Sequence, residues 1–318
     1  MSFKQFEALC GATEQELWTT LPLFLKKYGY KEILVTKDYV MARGTLPVML
    51  AAHLDTVFTG PPENIYYDAK AHVAWSPQGM GADDRAGIYA ITRILKETDY
   101  RPHLLFSLGE EKGCVGVSQL VKDYPKFPWG KLKYIAQLDR RGKEDCVFYD
   151  CTNEDFIKYI EDFGFKTAYG TFTDITVVCP AWGIAGVNLS VGYENEHSIA
   201  EYLKFDDLEL TIARVKHMLS IAQYGDVFIY KARAKKMPIC DLCGETAING
   251  GHRVFMWGEE PEYPNSLYMC MDCYNQFKPL VRQCELCSQY YYSEGSGVCP
   301  TCLKSSTESF ATLNSKNQ

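Results

Sequence analysis

The feature that most constrains the fold is the placement of acidic and imidazole side chains directly after short apolar runs. His53, the Glu110–Glu111 pair and Asp139 each follow closely on such a run, and the runs have the length and boundaries of buried strands. In open α/β sheets, ligands collect beyond the carboxyl ends of the strands. The pattern therefore predicts an α/β fold with a polar site at one edge of the sheet.

Apolar runs and helical patterns alternate from residue 1 to about residue 228. Segments 85–98 and 206–222 carry apolar residues at three- and four-residue steps, which is typical of helices packed on a sheet. We therefore predict a three-layer αβα sandwich around a mixed, mostly parallel sheet. The predicted strands are residues 32–36, 48–52, 104–108, 134–138 and 186–191.

Eight of the 13 cysteines form four Cys-x-x-Cys pairs after residue 239, enough thiolates for two tetrahedral Cys₄ zinc sites. In so short a segment, two structural metals would replace a large apolar core, and their binding would be coupled to folding. We expect sequential pairing, in which the first and second motifs bind one ion and the third and fourth bind the other. An interleaved cross-brace stays open as the alternative. The two predicted sites are Cys240, Cys243, Cys270 and Cys273, and Cys284, Cys287, Cys299 and Cys302.

The chain is predicted to divide into an α/β domain (1–228), a basic linker (229–237), a small cysteine-rich zinc-binding domain resembling a zinc ribbon (238–302) and a disordered tail (303–318). The other five cysteines show no ligand spacing and are interpreted as reduced thiols, which favours the cytoplasm. No secretion signal or membrane span is recognisable. The net charge of −7 offers no general attraction to nucleic acid or anionic lipid.

A pair of divalent ions needs a bridging carboxylate, a nitrogen ligand for each ion and a further carboxylate for each ion. The sequence supplies that set when Asp83 and His197 join the residues that follow the strands. In His53-Leu54-Asp55 the strand period of two puts both polar side chains on one side, so Asp55 can accept an imidazole N–H and fix its tautomer.

Together these segments resemble the co-catalytic di-zinc exopeptidases, which include bacterial leucyl aminopeptidases, tripeptidases of the peptidase T type and glutamyl aminopeptidases. The resemblance covers about residues 13 to 224. The segments that carry it are His53-Leu54-Asp55-Thr56-Val57, Gly81-Ala82-Asp83-Asp84-Arg85-Ala86-Gly87, Glu110-Glu111, Asp139 and His197.

The resemblance implies a role for each residue. His53 and Asp139 would bind one metal ion, and Glu111 and His197 the other. Asp83 would bridge the two ions, and its peptide bond to Asp84 would be cis. Asp55 would orient His53, and Glu110 would act as the general base.

The implied activity is metal-dependent hydrolysis of peptide bonds, most simply by an aminopeptidase with two catalytic zinc ions, for which Co²⁺ or Mn²⁺ could substitute. Two alternatives stay open. A di-zinc deacylase would act on acylated amino acids or other small amides, and a catalytically silent protein would keep the zinc sites for interaction alone. The short stretch between Asp139 and His197 leaves no room for a large inserted lid or dimerisation domain.

Several other residues have two interpretations. Asp174 resembles a further acid near such metal sites, and Arg140 and Arg141 could bind a substrate carboxylate or face solvent. Tyr193 could line the substrate pocket or pack in the core. The cysteine-rich segment carries an excess of acidic residues, which favours a protein partner or self-association over nucleic acid.

Overall fold

The structure is a computed structural model that describes residues 3–233, 239–245, 251–256, 265–277, 281–285, 290–292 and 299. Contacts between residues divide the chain into two compact units, Met1–Arg233 and Ala234–Gln318. This boundary falls inside the predicted linker 229–237. The predicted tail 303–318, Cys287 and Cys302 lie outside the described residues.

The helices of the described residues are α1 (Phe3–Cys10), α2 (Glu14–Lys27), α3 (Ala82–Glu97), α4 (Val115–Asp123), α5 (Glu154–Glu161), α6 (Ile175–Trp182), α7 (Phe205–Ser220) and α8 (Met271–Phe277). The strands of the first unit are β1 (Ile33–Val35), β2 (Tyr39–Ala42), β3 (Leu46–His53), β4 (Tyr66–Asp68), β5 (Val73–Trp75), β6 (Pro102–Ser107), β7 (Ile135–Arg140), β8 (Asp145–Val147), β9 (Lys166–Thr167), β10 (Gly186–Ser190), β11 (Tyr193–Glu194) and β12 (Tyr202–Lys204). Those of the second unit are β13 (Gly251–Met256), β14 (Asn265–Cys270), β15 (Val281–Gln283) and β16 (Tyr290–Tyr292).

An eight-stranded sheet with the order β1-β2-β6-β3-β7-β10-β8-β9 forms the centre of the first unit. Its middle is parallel, because β3 pairs in parallel with β6 and β7, and β7 with β10. Strands β2 and β8 pair antiparallel with β6 and β10. The predicted mixed, mostly parallel sheet is therefore confirmed.

Two apolar clusters cover the two faces of this sheet. One contains buried side chains of α1, α2, α3, α5 and α7, such as Ile91, Phe156 and Ile212. The other contains buried side chains of α4 and α6, such as Val117 and Val178. The sheet thus lies between two helical layers, which confirms the predicted αβα sandwich.

Helix α3 lies against β7 and positions its own start near the sheet edge. A Cβ atom on Gly87 would lie 2.0 Å from the backbone oxygen of Leu138, so only glycine allows this approach. Asp83 and Asp84 have non-helical backbone angles, and the regular helix begins after them. This agrees with the helix start predicted at residue 85.

A second sheet of the first unit has the order β11-β12-β5-β4 and joins β4 and β5, which lie between β3 and β6 in the chain, to β11 and β12. Its strand β11 leads directly into the segment that carries His197. The second unit, described by itself, has a four-stranded sheet with the order β14-β13-β16-β15, and helix α8 follows β14. Among the helices described above, none has the length and apolarity that a membrane crossing requires.

Candidate metal centre

Neighbouring strands bring the predicted ligands to one edge of the large sheet. His53 ends β3, and Asp139 lies near the end of β7, its parallel neighbour. Glu110 and Glu111 follow β6, the parallel neighbour of β3 on the other side. Because parallel strands end at the same edge, these side chains converge as the sequence predicts.

His53 lies among two of the predicted carboxylates. Its Nε2 atom is 3.0 Å from Oδ1 of Asp83 and 3.4 Å from Oδ1 of Asp139. The imidazole is 1% exposed. Its other nitrogen, Nδ1, is 3.0 Å from the backbone oxygen of Asp55. A proton on Nδ1 would be donated to that oxygen, which leaves the Nε2 lone pair directed at the carboxylates.

His197 contacts the other carboxylate oxygen of Asp83. Its Nε2 atom is 3.2 Å from Oδ2 of Asp83 and 3.0 Å from Oε2 of Glu111. The two oxygens of Asp83 therefore contact two different imidazoles, those of His53 and His197. Ligand atoms of His53, Asp83 and Glu111 all lie within 4.8 Å of one another.

Asp55 binds backbone groups more closely than the predicted imidazole. Its Oδ1 and Oδ2 atoms accept the backbone N–H groups of Glu110 and Glu111, each at 3.2 Å. Its Oδ1 is 3.5 Å from Nδ1 of His53, farther than the Asp55 backbone oxygen. The backbone carbonyl of Asp55 is thus the nearer acceptor for the imidazole, at 3.0 Å against 3.5 Å for the carboxylate.

Asp139 is held by several donors that the sequence did not reveal. Its Oδ2 accepts Gln137 Nε2 at 2.8 Å and Thr173 Oγ1 at 2.9 Å. The hydroxyl of Tyr193 donates to Oδ1 at 3.2 Å. Asn188 donates its amide to the Asp139 backbone oxygen at 2.8 Å. Tyr193 is thus buried against a predicted ligand, with little surface for a substrate.

The Asp83–Asp84 peptide bond is cis, as the resemblance implies. The Asp84 carboxylate accepts the backbone N–H groups of His53 at 3.1 Å and Gly87 at 2.9 Å. It thereby ties the start of α3 to the end of β3. A fully buried acid that sequence reasoning missed, Glu201, contacts the segment just before Asp84.

Crowding of buried acids shifts the pKa values of the centre. Burial, with Asp139 nearby, raises the pKa of Glu110 to about 9, and burial, with Asp83 nearby, raises that of Glu111 to about 7. Burial and the Asp83 charge also raise the pKa of Asp139. A hydrogen bond to Asp83 raises the pKa of His197 to about 9.

The pKa values of His53 and Asp83 shift in the directions expected for an ion pair. Burial disfavours charge on His53, but the neighbouring acids, led by Asp139, outweigh it and raise the pKa. Burial likewise opposes charge on Asp83, but hydrogen bonds from His197 and His53 lower its pKa. So many acids in a buried space repel one another, and divalent cations would relieve that repulsion. The mixed imidazole and carboxylate donors fit zinc.

The remaining predicted residues have ordinary partners. Asp174 is buried and accepts a hydrogen bond from Ser107, and burial raises its pKa to about 6. Arg140 donates to the backbone oxygen of Tyr169 at 3.1 Å. Arg141 forms an ion pair with Glu196 at 2.9 Å, and its side chain is half exposed.

In the second unit, four cysteines converge. The sulfur atoms of Cys240, Cys243, Cys270 and Cys273 lie within 4.8 Å of one another, the arrangement that sequential pairing requires. Although burial opposes it, the backbone N–H of Cys270 lowers the pKa of the Cys240 thiol to about 6. Four thiolates at this spacing suit a tetrahedral zinc ion.

The other predicted cysteine site is only partly described. The Cys299 backbone N–H donates to the sulfur of Cys284 at 3.3 Å. Cys287 and Cys302 lie outside the described residues.

Comparison with solved structures gives relatives of the same fold. Aminopeptidase PepT from Bacillus cereus ATCC 10987 is 16% identical, with a TM-score of 0.55, over 70% of this chain and 98% of that chain. A tripeptidase from Staphylococcus aureus subsp. aureus Mu50 is 14% identical, with a TM-score of 0.55, over 68% and 96%. An aminopeptidase from the archaeon Desulfurococcus kamchatkensis is 12% identical, with a TM-score of 0.50, over 68% and 93%.

Sequence comparisons identify a family to which part of the chain is similar. A search of curated proteins returned no match. Residues 37–171 match the model of Peptidase family M28, and this stretch contains four of the five predicted metal ligands. The resemblance to co-catalytic zinc exopeptidases is therefore confirmed: the chain is a metallo-exopeptidase, and residues 37–171 are similar to Peptidase family M28.

Proposed function

We propose that this protein is an aminopeptidase that removes residues from the N-termini of peptides with the help of two divalent ions. The observation that carries the proposal is the position of Asp83. Its two carboxylate oxygens contact the Nε2 atoms of two different histidines, His53 and His197. A carboxylate shared in this way is what a two-ion hydrolytic site needs at its centre.

In the proposed site, His53 and Asp139 hold one ion, and Glu111 and His197 hold the other. Zinc suits these ligands, and Co²⁺ or Mn²⁺ could replace it, because mixed imidazole and carboxylate sites accept several metals. When bound, two such ions polarise the scissile carbonyl and lower the pKa of the attacking water. The donors that restrain Asp139, among them Gln137 and Thr173, keep its carboxylate in place.

Glu110 would accept the proton of the attacking water and then deliver it to the leaving amine nitrogen. Three observations support this role. Glu110 neighbours the ligand Glu111, its side chain is largely buried, and Asp55 fixes its backbone. Tight backbone placement matters because a general base must lie within hydrogen-bond reach of the proton it removes.

A cavity beside the centre supports a peptide as the substrate. It has a volume of about 700 Å³, and Tyr149 and Phe172 belong to its lining. The Tyr149 hydroxyl accepts the same Asn188 amide that bonds to Asp139. A substrate side chain could therefore bind in this cavity while the peptide bond lies at the metal centre.

The second unit would carry two structural zinc ions, one at each Cys₄ site. The cytoplasm stays the predicted compartment, and docking of a protein partner or self-association stays the predicted role of this unit.

The substrate is tested with the purified full chain. Aminoacyl, N-acylated and tripeptide substrates are compared before and after chelation, and again after Zn²⁺, Co²⁺ or Mn²⁺ is returned. The proposal expects cleavage of substrates with a free N-terminus, loss on chelation and recovery with metal. Cleavage of N-acylated substrates alone would favour the deacylase, and no cleavage with full metal content would favour the silent protein.

A further inference from the structure

We infer that Glu201 is a positioning residue that sets the spacing between Asp83 and His197, and through them the affinity for the ion at Glu111 and His197. The inference rests on the proposed function, because it assigns Asp83 and His197 as ligands. Glu201 would not touch the ions or the substrate.

The carboxylate of Glu201 binds three backbone N–H groups of the segment that carries Asp83. Its Oε2 accepts from Met80 at 3.0 Å and from Ala82 at 3.1 Å, and its Oε1 accepts from Asp83 itself at 3.2 Å. Glu201 is 1% exposed. A buried carboxylate is costly unless its oxygens are bonded, so these three bonds hold the loop firmly against Glu201.

Glu201 also closes the turn that carries His197. The Glu201 N–H donates to the Ser198 backbone oxygen at 3.1 Å. The Ser198 hydroxyl donates to the Asn195 backbone oxygen at 2.7 Å and accepts the Ala200 N–H at 3.2 Å. His197 has a φ of 62°, a conformation that non-glycine residues rarely adopt, and these bonds maintain it.

One side chain thus joins two segments that are far apart in sequence. The turn presents His197, the loop presents Asp83, and the two side chains lie 3.2 Å apart. Without the Glu201 carboxylate, three buried N–H groups would lose their acceptor, and loop and turn would move apart to regain partners. The ligand pair would then be less well arranged before an ion binds. Residues that hold metal ligands in place typically contribute 10- to 100-fold to metal affinity or activity.

The experiment compares Glu201→Ala and Glu201→Gln with the parental full chain. Exchangeable ions are removed, and Zn²⁺ is titrated by calorimetry, with the cysteine-bound ions counted separately by elemental analysis. We expect one Zn²⁺ affinity of Glu201→Ala to fall about 10- to 100-fold, with hydrolysis restored at high Zn²⁺. Glu201→Gln should lose less Zn²⁺ affinity. Its amide oxygen still accepts backbone N–H groups, whereas its NH₂ group faces an N–H donor and cannot accept from it.

Glu209→Gln is the matched control, because Glu209 of α7 forms a partly buried ion pair with Arg93 of α3, outside the proposed metal site. It should keep both Zn²⁺ affinities. A Glu201→Ala or Glu201→Gln protein with a lower Tm but parental Zn²⁺ affinities would overturn the inference and leave the proposed function intact. If the parental chain binds no Zn²⁺ beyond its cysteines, the proposed function itself fails. Should Glu201→Ala not fold, Glu201→Gln decides the outcome.

Discussion

The Asp55 carboxylate accepts the backbone N–H of Glu110 with 3.2 Å between Oδ1 and the nitrogen. Its other oxygen accepts the N–H of Glu111 at the same distance. The residue two positions after His53 therefore fixes the chain at the proposed base, Glu110, and at a proposed metal ligand, Glu111. One acid thus aligns the loop after β6 with the end of β3.

We expect Asp55→Ala to lower both kcat and metal affinity by about 10- to 100-fold, because two buried N–H groups lose their acceptor and both glutamates shift. Asp55→Asn should lie between, since its amide oxygen can still accept one N–H group. Steady-state kinetics and Zn²⁺ titration of the two variants measure this. Parental kinetics and affinity in Asp55→Ala would show that the contacts do not position the loop.

The sequence could predict the layers and the convergence of the candidate ligands because both depend on local patterns. Each ligand follows an apolar strand-like run or lies in a short polar segment, and parallel strands bring such segments together without further information. The central strand β3 and helix α3 carry these patterns clearly. Strand β2 was missed, because all four of its residues are buried and the run is too short to show a period.

The contacts that hold the ligands could not be predicted, because they join residues without any sequence pattern. Glu201 is one acid among many in the chain, and only the fold shows that it faces three N–H groups of another segment. Asp84 and Gln137 are similar cases. The strand period predicts the side on which Asp55 lies, but it does not reveal that the Asp55 carboxylate accepts the N–H groups of Glu110 and Glu111.

Cys240→Ser should remove one metal ion per chain while the catalytic unit keeps its activity. The four sulfur atoms of this site lie together in the second unit, whereas His53, Asp83 and Glu111 belong to the first unit. Loss of one thiolate from a structural zinc site removes the folding energy that the metal supplies.

Elemental analysis and hydrolysis assays measure this outcome. Cys146→Ser is the matched control, because Cys146 is buried in β8 and belongs to neither predicted zinc site. Loss of catalytic-site metal in Cys240→Ser would contradict this expectation.

His103 should make the first unit less stable as the pH falls from about 6.5 toward 4. Burial lowers the pKa of His103 to about 4 from an ordinary 6.5. Its Nδ1 accepts the Gly44 N–H at 3.1 Å, and its ring stacks on Trp129, so the folded state favours the neutral ring. Between these pH values the unfolded chain binds more protons than the folded chain, and stability is lost on acidification.

Near pH 4.5, the lowered pKa of His103 is expected to reduce the free energy of unfolding by on the order of 2 kcal/mol. Thermal melts of the parental chain and His103→Phe across pH 7 to 4.5 measure it. The Tm of His103→Phe should fall less steeply with decreasing pH than that of the parental chain. The surface substitution His217→Phe should follow the parental curve, and an unchanged slope in His103→Phe would count against the assignment.

The central claim is that a metal pair and one buried glutamate together hydrolyse the peptide bond. Its most direct test is the turnover of Glu110→Gln at full metal content, beside the control Glu209→Gln. We predict that Glu110→Gln binds metal like the parental chain but loses about 10²- to 10⁴-fold in kcat, because the amide cannot accept the proton of the attacking water. Parental turnover by a fully metallated Glu110→Gln protein would contradict the account.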